Sequence, residues 1–174
     1  SLKRKRSKIK QENDDMKYFD YNKKTKGDKL VYIMPDNEGK FVILYSVIHE
    51  YIDIEDVTYL PAFDEAVMAD GIGRFSKECD VIFESGRDFF HIGQKLRESY
   101  DVRIIKSKGN NAIRISSQEG FIKSKVRFRS DYESSQQYVE FMDAVLDYTG
   151  DIPSPAMNAL ASLSAYSSRR YDFV

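Results

Sequence analysis

The sequence predicts an α/β domain whose mixed central sheet starts with three antiparallel strands, is flanked by helices and carries a late inserted β-hairpin. Three observations predict it. Apolar runs at Leu30–Met34, Phe41–His49 and Val57–Leu60 are separated by short turn-forming segments, the pattern of an antiparallel meander. A strand, a helix and a strand then follow one another around Val81–Gly86 at the spacing of a parallel crossover. The chain closes on two stretches whose apolar residues recur at helical intervals.

Residues 1–28 read as a flexible leader or linker and residues 29–174 as the folded domain. The leader carries Lys3-Arg4-Lys5-Arg6, Lys8 and Lys10, then Glu12, Asp14 and Asp15, with few side chains able to enter a core. Its basic run could touch DNA or RNA phosphates or simply be solvated, and its abrupt start is expected of a segment of a longer protein.

Leu30 to Met34 is the first strand, stopped by Pro35-Asp36-Asn37-Glu38-Gly39, which is rich in turn formers. The long apolar stretch of Phe41 to His49 predicts a central strand, and Val57 to Leu60 a short third one reached across Asp53 to Asp56. Pro61 to Glu78 predicts a helix with Phe63, Val67, Ile72 and Phe75 toward the core, weakened by Gly71 and Gly73. Val81 to Glu84 is a strand. Phe89, Ile92 and Leu96 form a helical stripe behind Asp88, a candidate N-cap, and Val102 to Ile105 is the next strand. Ile113–Ile115 and Val126–Phe128 read as paired strands of an excursion. Tyr138, Phe141, Met142, Val145 and Leu146 mark one closing helix, and Ala156, Ala159, Leu160 and Leu163 the other.

Composition narrows the function classes. A 174-residue chain that is 41% hydrophobic and 32% charged can bury one ordinary core, and a formal net charge of −1 supplies no global field for nucleic acid or membrane. Any such partner must be met by a local patch. One cysteine, Cys79, excludes an intrachain disulfide and a cysteine-rich zinc site, and two histidines, His49 and His91, argue against a histidine-rich metal centre. No apolar run approaches membrane-spanning length, and the basic N-terminus lacks the apolar stretch of a signal peptide, so a cytoplasmic protein is expected.

The stretch Val81-Ile82-Phe83-Glu84-Ser85-Gly86 carries the sharpest functional signal. A continuous apolar run reads as a strand buried on both faces, and ligands of open α/β sheets collect beyond the carboxyl ends of such strands. Glu84 is therefore expected at the rim, either as a working acid or as the solvated residue that stops a strand. From Lys106 to Arg129 the cations Lys106, Lys108, Arg114, Lys123, Lys125, Arg127 and Arg129 face Glu119 as the only acid. A strand over Val126-Arg127-Phe128-Arg129 would put both arginines on one face, in outline a phosphate-tracking ribbon and equally a solvated, edge-guarding face. His91 reads as a surface or partly packed residue, Cys79 as buried filler, and Arg87, beside the Glu84 strand, as a side chain that could meet phosphate.

Meander, helix, strand, helix, strand is the order of the ribonuclease H-like fold, and four stretches resemble the C-terminal nuclease domain of phage terminase large subunits. Val81 to Gly86 resembles that family's acid-ended strand. Lys106-Ser107-Lys108 with Ile113-Arg114-Ile115 resembles its lysine, spacer, Arg-Ile signature, Phe121 to Phe128 its following hairpin, and Ala156-Met157-Asn158-Ala159-Leu160-Ala161 its terminal helix, which ends Asp-Ala-Leu-Ala. The resemblance implies a metal-dependent endonuclease domain of a DNA-packaging terminase that cuts double-stranded DNA with little sequence preference. It implies two Mg2+ or Mn2+ ions held by acids of the first strand, fourth strand and terminal helix. It further implies an ATPase domain outside this chain, portal and small terminase subunits as partners, and the host cytoplasm as location.

The chain departs from that pattern at the acids. Met34 stands where the first strand should end in aspartate, Asn158 replaces the aspartate of the terminal helix, and Ser154 and Pro155 replace acids before it. Two hard cations need several carboxylate oxygens, and a thioether is a poor substitute. Asp36 and Asp151 could restore a triad with Glu84, with Asn158 lending a neutral carbonyl, although turn chemistry alone accounts for Asp36 and loop chemistry for Asp151. Three functions therefore stand: a metal-dependent endonuclease, a noncatalytic DNA-docking domain of a packaging motor, and a protein-interaction module on the same fold.

Overall fold

A computed structural model describes residues 15–36, 38–107, 109–150 and 152–173. The expectations placed on Lys108, Asp151 and the basic first half of the leader lie outside the described residues. The strands are β1 (Lys17–Phe19), β2 (Asp28–Pro35), β3 (Phe41–Ile48), β4 (Ile52–Leu60), β5 (Asp80–Ser85), β6 (Val102–Lys106) and β7 (Val126–Arg129). The helices are α1 (Glu65–Phe75), α2 (Phe90–Leu96), α3 (Asn111–Lys125), α4 (Gln136–Leu146) and α5 (Pro155–Arg170).

All seven strands join one sheet in the order β1-β7-β4-β3-β2-β5-β6. The predicted meander is present, with β2, β3 and β4 antiparallel, and β3 holds the centre with every residue buried. β5 pairs parallel with β2 and with β6, as the strand–helix–strand spacing predicted. On one face α3, α4 and α5 cover a core built on Leu30, Tyr32, Leu44, Ile54 and Phe128. On the other, α1 and α2 cover Val31, Ile33, Ile43, Val81 and Phe83. The alternation of a two-residue strand period assigns each residue to its face, so Tyr32, Ile82 and Glu84 share the first and Val31 and Phe83 the second.

Four sequence expectations are corrected. The inserted β-hairpin is absent among the described residues: Asn111–Lys125 is the fifteen-residue helix α3, not a strand pair. The Asn110 side chain caps it, accepting from the amides of Ala112 and Ile113, and Ile115 and Ile122, two turns apart, both reach the core. Ile113, read as a strand residue, is 71% exposed. Second, Asp53–Asp56 is no connection but part of the nine-residue β4, in which Tyr45 faces Asp56 and Ser46 faces Ile54, leaving Glu55 as the extra residue of a bulge. Third, Asp88 caps nothing; a 3₁₀ turn over Arg87–Phe89 leads into α2 without a side-chain cap, while Asp64 caps α1 and turns Met68, rather than Val67, inward. Fourth, Lys17–Phe19 of the presumed leader is an edge strand paired parallel with β7.

The β4–β7 junction is short, three residue pairs, and polar side chains fasten it. The hydroxyl of Tyr138, fully buried, donates to the Ile54 carbonyl at 2.6 Å and accepts from the Arg129 amide at 3.0 Å, bridging both strands where their ladder ends. Burial pushes that phenol well above its usual range, which keeps the donor proton in place. On the opposite face Asp53, 2% exposed, takes the Arg127 guanidinium in a two-pronged pair at 2.6 and 2.7 Å, and His49 Nε2 lies 2.8 Å from the same carboxylate. No described helix is long and apolar enough to cross a membrane.

Replacing Tyr138 with Phe keeps the ring and strands two buried backbone groups. Tyr138→Phe is expected to lower stability by about 2 kcal/mol in urea unfolding, and a change within ~0.5 kcal/mol would refute the bridge.

Candidate functional site

The acid-ended strand positions Glu84 one residue beyond the last β2–β5 ladder pair, Ile33–Phe83, level with Met34. It is not at the rim. The residue is 5% exposed, because α3 and α5 close over the face it shares with Tyr32. A buried carboxylate survives only if its lone pairs are filled and its charge is met. Tyr32 donates to Oε1 at 2.8 Å. Oε2 accepts from Arg114 Nη1 at 2.9 Å, from the Ser162 hydroxyl at 3.0 Å and from the Ser107 hydroxyl at 3.3 Å.

Each donor comes from a different element. Tyr32 stands on β2, and burial followed by the adjacent Glu84 charge pushes its phenol well above the ordinary range, so it stays a donor. Ser107 follows β6, and its amide also ties back to the Ser85 carbonyl. Arg114 lies in the first turns of α3, aimed by the Asn110 cap, and its guanidinium also donates to Ser162 Oγ at 2.7 Å and to Asn111 Oδ1 at 2.6 Å. Ser162, on α5, relays by accepting from Arg114 and donating to Glu84. The Arg114 side chain is only 13% exposed.

The other predicted site residues fall elsewhere. Asp36 works as a turn residue: its Oδ1 accepts from the amides of Glu38 and Lys40, while Gly39, at φ +84°, closes the same turn. Met34 is 8% exposed and faces the Glu84 side as part of the core. Asn158 sits in α5 with its Oδ1 buried and without a hydrogen-bond partner among the described residues, as are Gln118 Oε1 and Arg114 Nε elsewhere. No three Asp, Glu, His or Cys side chains gather among the described residues where an ion could be held.

The described residues do not fit a Mg2+ or Mn2+ site. One carboxylate, three hydroxyls, a thioether and an amide give too few anionic oxygens, and the Arg114 guanidinium occupies the position of the compensating charge.

The predicted basic ribbon is likewise engaged. Arg127 is held by Asp53 and stacks on Tyr51, with 4.5 Å between guanidinium and ring centroid. Arg129 pairs with Asp131 at two distances of 2.9 Å and stacks on Tyr21 at 3.8 Å. Lys123 pairs with Glu119 and Lys125 lies over Tyr51. Lys106 is exposed at the end of β6, in register with Ser85. His91 is exposed, and Cys79 is half-buried with its thiol pushed up by desolvation.

Sequence reasoning found Glu84 but missed Tyr32, Ser107 and Ser162 as its partners and assigned Arg114 to DNA. The one legible signal was the run of small and hydroxyl residues along α5, whose Ser162, Ser164 and Ser167 are all buried.

No protein-family model and no curated protein matches the chain. Among solved structures it is similar to the large terminase of a thermophilic bacteriophage, with a TM-score of 0.61 at 10% identity over 92% of this chain and 44% of that one. The same terminase bound to ATP-γ-S gives a TM-score of 0.57 over 94% of this chain and 46% of that one, again at 10% identity. Its ADP complex gives 0.54 at 10% identity, over 94% and 45%. The chain thus spans less than half the length of those terminase chains, and the likeness is one of fold.

Removing the guanidinium alone leaves a buried carboxylate uncompensated. Arg114→Ala is expected to destabilise the fold by about 3–5 kcal/mol, and the Glu84→Gln/Arg114→Ala double variant to recover part of that loss, a coupling above ~1 kcal/mol in a double-mutant cycle. Additive effects would mean that the pair is not coupled.

Proposed function

We propose that this chain is a noncatalytic DNA-docking domain of a phage DNA-packaging terminase, built on the fold of the terminase nuclease domain with its metal site replaced by an internal ion pair. The observation that carries this reading is the Glu84–Arg114 contact at 2.9 Å, in which a side chain of the protein meets the charge that a metal would otherwise meet. The fold likeness to a phage large terminase supports the packaging context, and Met34 and Asn158 at the two other expected acid positions support the loss of cleavage.

Docking is a matter of phosphate contacts without base readout. We assign these contacts to Lys106, exposed at the end of β6, and to Lys123, whose partners Glu119 and Asp15 are themselves exposed. Their pairs with exposed acids are weak in water, so a phosphate can compete. An ATPase domain outside this chain, the portal and a small terminase subunit are the partners this role requires.

A second reading is favoured by one observation. The orphaned Asn158 Oδ1, buried on the terminal helix, is an acceptor in want of a donor or cation. In that reading the domain is a metal-dependent endonuclease whose Glu84 becomes available only when Arg114 leaves it.

Supercoiled plasmid incubated with the protein and Mg2+ or Mn2+ separates the two. The docking reading expects no nicking with either metal, together with duplex binding that weakens with salt, the log–log slope falling by about one unit in Lys106→Ala. Manganese-dependent nicking lost in Glu84→Gln would establish the endonuclease instead, and absence of duplex binding would remove docking.

A further inference from the structure

The second face of the sheet is only partly clad. α1 and α2 cover β2, β3, β5 and β6, with Leu60 at the end of β4, and beyond them the face turns polar at Asp53, Glu55, Arg127 and Arg129. Where the cladding stops, a cleft of about 520 Å³ opens between the C-terminal end of α1, the segment between β1 and β2, and the β4 bulge. That is the size range of small-ligand sites.

Three features of the cleft are built rather than incidental. Its floor is set by Gly71, in the middle of α1, where any Cβ would collide with the Tyr45 hydroxyl; glycine inside a helix weakens it by about 1 kcal/mol and is kept here for that close approach. Two acids line it: Asp56, whose Oδ1 already accepts from the Val57 amide, and Glu55, the extra residue of the bulge, whose carboxylate receives no hydrogen bond from any described residue. Burial, with the nearby Asp53 charge, raises the Glu55 carboxyl above its usual range against the pull of Lys29, Arg129 and Lys24. Its remaining lining joins cations to flat rings: Lys29 lies 5.2 Å from the centroid of Phe75, Tyr21 is 43% exposed on top of the Arg129 guanidinium, and Lys24 and Arg74 stand at the mouth. Among the described residues Arg74 is tied to exposed Asp70 alone.

We propose that this cleft is a nucleotide-binding site: Lys24, Lys29 and Arg74 take the phosphate, Tyr21 and Phe75 take the base, and Glu55 accepts from an exocyclic amino group. The combination selects this chemistry. A simple anion leaves the rings and the acid unused, a cation is repelled by the lysines, and an apolar ligand strands Glu55. Guanidinium and aromatic faces hold bases by stacking, and a carboxylate that no described donor occupies prefers bases that carry an amino group. The site is separate from the duplex-facing lysines and from Glu84, so it does not rest on the docking role.

The full chain, isotopically labelled, is titrated with dAMP, dTMP, inorganic phosphate and a short oligo(dA), reading the backbone amides of Lys29 and Glu55. Saturable shifts are expected with dAMP, weaker ones with dTMP and weaker still with phosphate. Saturation with dAMP identifies a free nucleotide as sufficient, and saturation with oligo(dA) alone identifies a nucleotide within a strand. Lys24→Ala/Arg74→Ala, at exposed positions where folding is not at stake, should weaken dAMP about tenfold, the size of a lost charge-assisted contact, while leaving duplex affinity unchanged. Glu55→Met should level dAMP and dTMP. Absence of saturable shifts with both dAMP and oligo(dA), equal binding of phosphate and dAMP, or indifference to both variants would overturn the proposal.

Discussion

The carboxylate of Glu84 sets the terms for the middle of this molecule. It stands one residue before the end of a strand that is buried on both faces, and two helices close over it, so its charge must be met inside the protein. The donors that meet it come from β2, from the segment after β6, from α3 and from α5, and each contact fixes one element against the others. A buried ion pair adds little net stability, because desolvation offsets attraction, but a displaced partner leaves a bare charge. The network therefore acts less on the depth of the native well than on its uniqueness: any other seating of α3 would take Arg114 away from Glu84.

Polar fastening appears again at the opposite side of the sheet, for a different reason. β7 meets β4 over only three residue pairs, too few to define a junction by backbone hydrogen bonds alone. Tyr138 supplies the missing bridge from the apolar face and the Asp53–Arg127 pair from the polar one. The consequence reaches function. Two arginines that alternate along β7, suited in isolation to tracking phosphates, already answer Asp53 and Asp131, and nucleic acid would have to displace two-pronged carboxylate contacts to use them.

The strands of the centre were legible because burial on both faces writes itself as continuous apolar runs, as in Phe41–Ile48, and the closing helices because their stripes are dense. α3 was not. Its buried apolar residues are sparse, Ile115 and Ile122, and Ile113-Arg114-Ile115 imitates a strand, whereas the decisive signal was the single cap residue Asn110. β4 was read short because Asp53, Glu55 and Asp56 look like a loop. In space one is neutralised by an arginine 74 residues away and another sits on a bulge, and neither fact is local. The site divided the same way. Glu84 was visible as the acid that ends an apolar run, while its partners are hydroxyls and an arginine brought in by tertiary contacts that no short window contains.

The charge of Arg114 follows from what stands beside Glu84. A divalent ion needs at least two nearby negative charges to leave a low-dielectric site near neutrality, and two such ions need more. With Met34 level with Glu84 on the next strand and an uncharged Asn158 on the terminal helix, the described residues leave one negative charge in this pocket, and a single guanidinium balances it one to one. A divalent ion in the same place would carry an uncompensated positive charge and would also have to displace three hydroxyl donors. Arginine also brings planar donors, which let it serve Glu84, Ser162 and Asn111 together, something a lysine ammonium in the same turn could not arrange with the same geometry. The internal pair is thus the electrostatic answer to a pocket with one acid among the described residues, and a divalent ion there would require acids in place of Met34 and Asn158 as well as removal of Arg114.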